Sequence, residues 1–268
     1  VEITARLASP GWLLLTDADC SPPPTWARSM ASHYTGDIIM LPGYSPYRFD
    51  APVPKLLAGM LALDFFSLAA VAAAAIGQGY PLTAAGCNLS YRRSTYFQTG
   101  GFESIRQWVS GDDDLFLLNV AQQKLGRIGY ALHPHTFVPC AAPASFRQFW
   151  HQRIRYASKG LHYSLPMTSG LMAVYVLNLA LALAIPALFA GFGGFTLAML
   201  GVWLVKAVAE YAFLACATKH FSEQSVLKYF VPTAIIHPFY ITLFAFLGSF
   251  SRFQWKDKKA PKKQTRES

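Results

Sequence analysis

The segment Gly11-Trp-Leu-Leu-Leu-Thr-Asp-Ala-Asp19 joins a short apolar run to two carboxylates. Such a run is typical of a buried strand in a parallel sheet. Ligands of α/β sheets bind at the carboxyl ends of these strands, which is where Asp17 and Asp19 fall. Aspartate is also common at strand-to-turn boundaries that bind nothing, so the pair alone is a weak signal. Its oxygen atoms nevertheless suit Mg²⁺ or Mn²⁺ bridging to a diphosphate, and the segment predicts an α/β domain.

A second acidic cluster, Ser110-Gly-Asp-Asp-Asp-Leu-Phe-Leu-Leu118, has the pattern of a helix start. Capping and the helix dipole favour acidic residues there, which accounts for at least one carboxylate. Three adjacent carboxylates also repel one another, and this repulsion raises the pKa of a carboxyl group. The cluster is therefore a candidate source of a general base that takes a proton from a hydroxyl group.

The segment Arg147 to Tyr156 is basic and aromatic and comes just before a long apolar region. At helical spacing its rings fall on one side and most of its basic groups on the other, as in a helix lying at a membrane surface. That placement explains the composition without any chemistry. It still allows Arg153 or Arg155 to face a departing diphosphate, which guanidinium groups bind well.

The overall composition indicates a membrane protein. Of 268 residues, 53% are apolar and 14% charged, against about 25% charged in a soluble domain. This excludes a disordered chain and an ordinary cytosolic enzyme. The net charge of +9 comes from two tracts, Arg147 to Lys159 and Arg252 to Ser268. Such local tracts beside apolar sequence favour membrane lipids or bound phosphates as partners, and no nucleic acid.

Three apolar stretches are long enough to span a bilayer, which takes about 20 residues. They are Leu171 to Ala190, Phe192 to Ala217 and Tyr229 to Phe250. We expect membrane helices over 168–250, in two or three spans, and a basic cytoplasmic tail at 251–268. If the polar region is cytoplasmic too, the number of crossings is even, and the Lys206 and Glu210 charges mark the second stretch as the one that does not span.

Three further features concern the polar region. Leu56 to Ile76 is apolar but carries Asp64 at its middle, so we expect a packed helix rather than a span. Four scattered cysteines, with no C-x-x-C pair, predict reduced cytosolic thiols rather than a disulfide framework. The chain starts at Val1 inside a helix-like stretch, which indicates an N-terminally truncated fragment.

Four motifs occur in an order that resembles glycosyltransferase family 2, specifically the membrane-integrated branch with the cellulose and hyaluronan synthases. TDADC (16–20) is similar to the D-x-D motif of that family, and GCNLSYRRSTYFQTGGF (86–102) to its acceptor-side segment. GDDDLFLL (111–118) is similar to its E-D-x-D-L base motif, and QRIRY (152–156) to its Q-x-x-R-W. The resemblance covers about residues 1 to 160. It implies a partial GT-A-like, Rossmann-like nucleotide-sugar transferase domain, ending in an interfacial helix and followed by a bundle of transmembrane helices.

The resemblance also implies roles for individual residues. Asp17 would contact the nucleotide and Asp19 the divalent metal, Mg²⁺ or Mn²⁺. The base would be Asp112, with Gly111 where the family has Glu, or Asp113 if the register shifts by one. The acceptor and diphosphate region would be lined by three residues of QRIRY, namely Gln152, Arg153 and Arg155.

The function implied is transfer of a sugar, with inversion, from a nucleotide-diphosphate sugar to a hydroxyl of a lipid or glycan acceptor. The implied setting is the inner, cytoplasmic membrane, with a cytoplasmic catalytic domain, in the biosynthesis of a cell-envelope polysaccharide or glycolipid. One alternative is a haloacid dehalogenase-like phosphatase, in which Asp17-x-Asp19-x-Ser21 would supply the nucleophile and the acid. Position 116, where that family needs an acid, is Phe116. The other alternative is a non-enzymatic membrane scaffold or transporter subunit.

Overall fold

The computed structural model describes residues 11–103, 113–158 and 163–250, together with the strand residues 254–255 and 258–259. The chain divides into two compact units. The first consists of Val1–Ala142 with Ala212–Phe230, and the second of Pro143–Tyr211 with Val231–Ser268. The two units are therefore not divided at residue 160, where the resemblance to glycosyltransferases ends. A short segment from within the apolar region belongs to the first unit.

The first unit contains a mixed four-stranded sheet. Its strands are β1 (Trp12–Leu15), β2 (Ile38–Pro42), β4 (Leu89–Arg92) and β5 (Arg127–Ile128). They lie in the order β1-β4-β2-β5, where β4 is antiparallel to both of its neighbours and β2 is parallel to β5. Consequently β1, β2 and β5 all run in the same direction. Two further strands, β3 (Tyr47–Arg48) and β6 (Cys140–Ala141), form a small parallel pair.

The strand β1 differs from the prediction of a strand buried in a parallel sheet. Among the described residues it pairs only with β4, and that pairing is antiparallel. The run is continuously apolar because apolar clusters cover both faces of the sheet. Leu13 packs into one cluster, while Trp12 and Leu14 pack against the other. Burial on two faces is encoded in the sequence of one strand, whereas strand direction depends on the partner.

Helices of the first unit fill out these clusters. They are α1 (Trp26–Ala31), α2 (Lys55–Gly77), α3 (Arg93–Gln98) and α4 (Asp114–Gln123). Helix α4 contributes Phe116, Leu117 and Val120, all fully or almost fully buried, at spacings that put them on one side of a helix. They pack with Tyr91 of β4, which is itself 0% exposed. This packing fixes the start of α4 against the sheet.

Helix α2 is buried over part of its surface and exposed elsewhere. Gly59, Leu63, Phe66 and Ala70, spaced three or four residues apart, are buried. The Gly59 position has no room for a side chain, because an added Cβ would lie 2.2 Å from the ring of Tyr229. That ring belongs to a 3₁₀ helix, Gln224–Tyr229, which packs on α2.

Four helices carry most of the second unit: α5 (Phe146–Ser158), α6 (Leu165–Phe189), α7 (Gly193–Phe221) and α8 (Phe230–Phe250). The last turns of α7 and the first residue of α8 belong to the first unit. Helices α6 and α7 are joined by a turn at Gly191, whose φ of 87° favours glycine. Two short strands, β7 (Gln254–Trp255) and β8 (Lys258–Lys259), pair antiparallel near the C-terminus.

The structure confirms helices long and apolar enough to cross a membrane. Four qualify by length and composition: Lys55–Gly77, Leu165–Phe189, Gly193–Phe221 and Gln224–Ser249. The last three correspond to the stretches expected at 168–250. The two charges that argued against a span at Phe192 to Ala217 form an ion pair, since Lys206 Nζ lies 2.7 Å from Glu210 Oε1. Pairing lowers the cost of placing both groups in a bilayer, so the middle helix fits a span as well as the others.

Candidate functional site

The candidate site lies at one end of the four-stranded sheet, because three strands end there and one begins. Strand β1 leads into Asp17 and Asp19, β2 into Ser45, and β5 into Tyr130, while Cys87 comes just before β4. The shared direction of β1, β2 and β5 brings the loops that follow them to the same edge. This is the edge at which α/β sheets bind their ligands, although the sheet here is mixed.

The loop after β1 presents two exposed carboxylates. A turn closes this loop, in which the Cys20 N–H donates to the Asp17 carbonyl oxygen at 3.1 Å. One carboxylate oxygen of Asp17, one of Asp19 and the Cys20 Sγ all lie within 4.8 Å of one another. Mg²⁺ and Mn²⁺ bind oxygen ligands of this kind, namely carboxylates exposed to solvent, together with phosphate oxygens. The residues present thus fit the predicted divalent cation, which Asp17 and Asp19 would hold.

The same loop is attached covalently to β6. Cys20 and Cys140 form a disulfide across 120 residues, which corrects the prediction of reduced thiols. An isolated antiparallel bridge pairs Cys20 with Cys140, with their Cα atoms 4.2 Å apart, and this is a long-range contact that spacing along the chain does not encode. The Ser21 N–H also donates to the Pro139 carbonyl oxygen at 2.8 Å. The acidic loop is therefore held at its distal end.

Arg48, at the end of β3, lies beside the acidic loop and was not anticipated from the sequence. Its guanidinium group pairs with Asp50 through two contacts of 2.7 and 2.9 Å and also donates to the Ser21 hydroxyl. The hydrogen bond to Asp50 raises the pKa of Arg48, and the nearby charge of Asp19 adds to this effect. No motif marks this arginine, because the pairing of β3 with β6 is what brings it to the loop.

Cys87 lies at the centre of the site and remains a free thiol. Its sulfur is within 4.8 Å of both disulfide sulfurs. Burial raises the pKa of this thiol to about 12, and the negative charges of Asp17 and Asp113 raise it further. Cys87 is thus a neutral packing group at physiological pH, and the two carboxylates approach it from different loops.

Asp113 occupies the position before α4 and is held by two backbone donors. Its Oδ1 accepts from the Asp114 N–H at 2.8 Å, and its Oδ2 accepts from the Gly86 N–H at 3.1 Å. Gly86 allows this approach, since an added Cβ would lie 3.3 Å from Asp113 Oδ2. The contact ties the start of α4 to the segment that contains Cys87. Asp113 is therefore brought to the same part of the sheet edge as Asp17.

The other two carboxylates of the triplet have different places. Asp114 is 6% exposed, and its Oδ1 accepts from the Thr83 hydroxyl at 2.5 Å and from the Ala84 N–H at 3.0 Å. Asp114 is accordingly a structural link between α4 and the segment before β4. Asp112, the first assignment for the base, lies outside the described residues, as does Gly111.

The residues predicted to line the diphosphate region, Gln152, Arg153 and Arg155, lie on α5 in the second unit. Arg153 is 4% exposed, and its guanidinium carbon lies 5.1 Å from the ring centre of Phe149 and 5.7 Å from that of Tyr240. A charged group enclosed by rings in this way joins α5 to α8. Gln152 and Arg155 are half-buried on the same helix.

The connection between α7 and α8 also contributes to the first unit, which the sequence did not indicate. The Tyr44 hydroxyl, in the loop after β2, donates to Glu223 Oε1 at 3.2 Å. Tyr44 is 3% exposed and meets the ring of Phe221 edge-on, with ring centres 5.2 Å apart. Burial raises the pKa of Glu223. The end of α7 and the turn after it are thus packed onto a loop of the candidate site.

Neither any protein-family model nor any curated protein matches this sequence.

Proposed function

We propose that this protein is a membrane-bound, metal-dependent, inverting glycosyltransferase that moves a sugar from a nucleotide-diphosphate sugar to a hydroxyl of a lipid or glycan acceptor. The observation that carries the proposal is the convergence of Asp17, Asp19 and Asp113 at one edge of a mixed sheet. Two of these carboxylates are exposed on one loop and suit a divalent cation. The third is held at the start of a helix, and we propose that it acts as the general base.

The division of labour follows from how each carboxylate is held. A divalent cation bound at Asp17 and Asp19 would stabilise negative charge on a departing diphosphate. Asp113 is oriented by two backbone N–H groups, and a carboxylate oxygen can take up a proton. Asp112, one residue earlier, is the alternative base. Either residue would take the proton of the acceptor hydroxyl as that oxygen attacks the anomeric carbon.

The bonds in the proposed reaction balance without a redox partner. A carbon–oxygen bond forms between the acceptor and the anomeric carbon, while the bond from that carbon to the diphosphate breaks. The diphosphate leaves with the electron pair, and the acceptor proton moves to the carboxylate. Attack opposite the leaving group inverts the anomeric configuration. Arg48 supplies a cation next to the acidic loop, and we propose that it contributes to holding the diphosphate.

The membrane helices support the acceptor class. A unit whose chain runs directly into helices long enough to cross a bilayer is suited to an acceptor that is a lipid or a glycan leaving through the membrane. We propose that the site faces the cytoplasm at the inner membrane, where nucleotide sugars are made, and serves cell-envelope polysaccharide or glycolipid synthesis.

The direct test is release of nucleoside diphosphate by the protein in membranes, measured over a panel of nucleotide sugars with Mn²⁺ or Mg²⁺ and a lipid extract as acceptor. We expect release that requires the cation, and a product of inverted anomeric configuration. Release of inorganic phosphate from phosphate esters, without sugar transfer, would favour the phosphatase alternative. Neither activity in well-inserted protein would favour a scaffold.

A further inference from the structure

We propose that the exposed apolar side of α2 rests in the surface of the lipid bilayer, so that this helix lies along the membrane instead of crossing it. The exposed side is formed by four residues, Leu56, Leu57, Leu68 and Val71, which are 56%, 48%, 45% and 44% exposed. The proposal depends on the membrane helices and not on the transferase activity. The surface it assigns is separate from the carboxylate site.

The opposite side of α2 shows why the helix does not cross. Phe66, at the middle of the helix, is 0% exposed, and its ring meets those of Tyr44 and Phe221 at centre distances of 5.7 and 5.3 Å. Phe65 stacks on Tyr47 with ring centres 4.0 Å apart. If α2 crossed the bilayer, its midpoint would carry the Tyr44 hydroxyl and its Glu223 partner into hydrocarbon, where polar groups are costly.

The chain connection places α2 near a membrane surface. The 3₁₀ helix Gln224–Tyr229 is the first part of the candidate span Gln224–Ser249, and only two residues separate it from the candidate span that ends at Phe221. The beginning of a span and the short connection before it lie at one face of the bilayer. Because the Tyr229 ring packs directly on α2 at Gly59, α2 is held at that face as well.

The ends and the middle of α2 also fit an interfacial position. Lys55 begins the helix and is exposed, and Tyr80, three residues after its end, is 74% exposed. Lysine and tyrosine are favoured at headgroup level, where the apolar part of each side chain is covered and the polar end stays wet. Asp64, half-buried at the middle of the helix, is tolerated at that depth far better than at the centre of a bilayer. We therefore commit to lipid, and not to a second copy of the chain, as the partner of this surface.

A depth measurement tests the contact with lipid. The background is Cys216→Ser, because Cys216 is exposed, whereas Cys87 is buried with a raised pKa and the other cysteines form the disulfide. Leu68→Cys or Val71→Cys is labelled with a fluorophore in nanodiscs whose lipid chains carry bromine. Leu125→Cys is the matched control, since Leu125 is 41% exposed in the turn after α4.

The outcomes separate the alternatives. We expect quenching at 68 and 71 to exceed that at 125 by at least about twofold, because an interfacial helix buries its apolar side about 5–10 Å deep. Equal quenching at all three positions would overturn the proposal. Absent quenching together with cross-linking between labelled chains at 68 would overturn it in favour of a second copy.

A second measurement separates lying from crossing. Lys55→Cys and Tyr80→Cys, in the same background, are exposed in sealed vesicles to a maleimide that does not cross membranes. Both positions should react from the same side. Reaction of the two positions from opposite sides would show that α2 spans the bilayer and would overturn the proposal. Neither measurement requires transferase activity, so failure of the proposed function leaves both interpretable.

Discussion

The two units of this protein treat charge in opposite ways. In the first unit, Asp17 and Asp19 are exposed on a loop whose backbone and disulfide hold it in place. In the second, charged groups have partners on the helices: Lys206 pairs with Glu210, and Arg153 is enclosed by rings. The carboxylates on this loop face solvent, whereas the charges of the second unit contact other groups of its helices. In the proposed function, the chemistry therefore belongs to the sheet and the helices have a supporting role.

The difference has a physical origin in the cost of desolvation. An exposed carboxylate remains hydrated, so two of them on a loop cost the folded protein little stability when no cation is bound. A lysine inside a membrane helix has no water to replace and needs a permanent partner. Lys206 finds Glu210 one turn away, and its Nζ is also 3.5 Å from His237 Nδ1 on α8.

The largest expected effect comes from the exposed pair. Asp19→Ala removes an oxygen ligand from the proposed cation site, and we expect turnover to fall by about 10³-fold or more, since a bound cation contributes several kcal/mol to stabilising transition-state charge. The measurement is cation-dependent release of nucleoside diphosphate. Asp37→Asn is the matched control, an exposed aspartate paired with Arg127 on the sheet, and it should retain activity. Equal activity in both variants would contradict the assignment of Asp19.

The Lys206–Glu210 pair of the second unit should affect stability. Lys206→Leu leaves Glu210 without its cation, and we expect a cost of roughly 1 kcal/mol, since Glu210 is 36% exposed. We expect less folded protein in detergent and an earlier thermal transition, followed by size-exclusion chromatography after heating. Replacing both residues by leucine should recover most of the loss. A single variant as stable as wild type would show that the pair does not hold the helix.

The base assignment can be sharpened by asparagine substitutions. Asparagine caps a helix about as well as aspartate, so Asp113→Asn retains the hydrogen bond from the Asp114 N–H while it removes the negative charge and the acceptor of the Gly86 N–H. If Asp113 is the base, we expect turnover to fall by about 10²-fold or more, with a loss of stability of only about 1 kcal/mol for the missing hydrogen bond. Asp112→Asn is the companion variant. Loss of activity in that variant alone would move the base to Asp112, and retention in both would exclude either residue.

Removing the Cys20–Cys140 disulfide tests whether the loop with Asp17 and Asp19 must be held in place for activity. A bond that closes a loop of 120 residues contributes roughly 2–4 kcal/mol to unfolding free energy. We expect dithiothreitol, or Cys140→Ser, to lower the thermal transition of the first unit and to weaken cation-dependent turnover. Cys216→Ser is the control, because Cys216 is exposed and outside the disulfide. Unchanged cation affinity after reduction would show that backbone contacts alone hold Asp17 and Asp19.

The smallest effect concerns Glu223. Its pKa is raised in the folded protein by burial, so the folded state binds the Glu223 proton more tightly than the unfolded state does. The stabilising effect of that proton is complete below the ordinary pKa of 4.5 and is lost as pH rises through the raised value. Relative to Glu223→Gln, wild type should therefore lose stability across this window. Parallel pH profiles of thermal unfolding for the two proteins would contradict this.

Particular residues show how far sequence reasoning reached. The apolar run before Asp17 predicted a strand that ends in two carboxylates, and the structure has that strand. It did not predict the antiparallel pairing with β4, because apolar clusters on both faces of β1 make the run apolar whichever way its partner runs. Similarly, Asp114 belongs to the acidic triplet, but it accepts hydrogen bonds from Thr83 and Ala84. The sequence did not indicate this contact, because the two segments are about 30 residues apart.

What the sequence by itself determined is set by local composition: helices long enough to cross a membrane, a strand followed by two aspartates, and an acidic helix start. These features depend on the length of apolar stretches and on the order of residues, and both are local properties of the sequence. The tertiary structure alone decided that Cys20 meets Cys140, that Arg48 lies beside Asp19, and that the turn after α7 packs on Tyr44. Each of these contacts joins residues far apart in the chain, and their proximity is decided by strand direction and packing, which no single segment encodes.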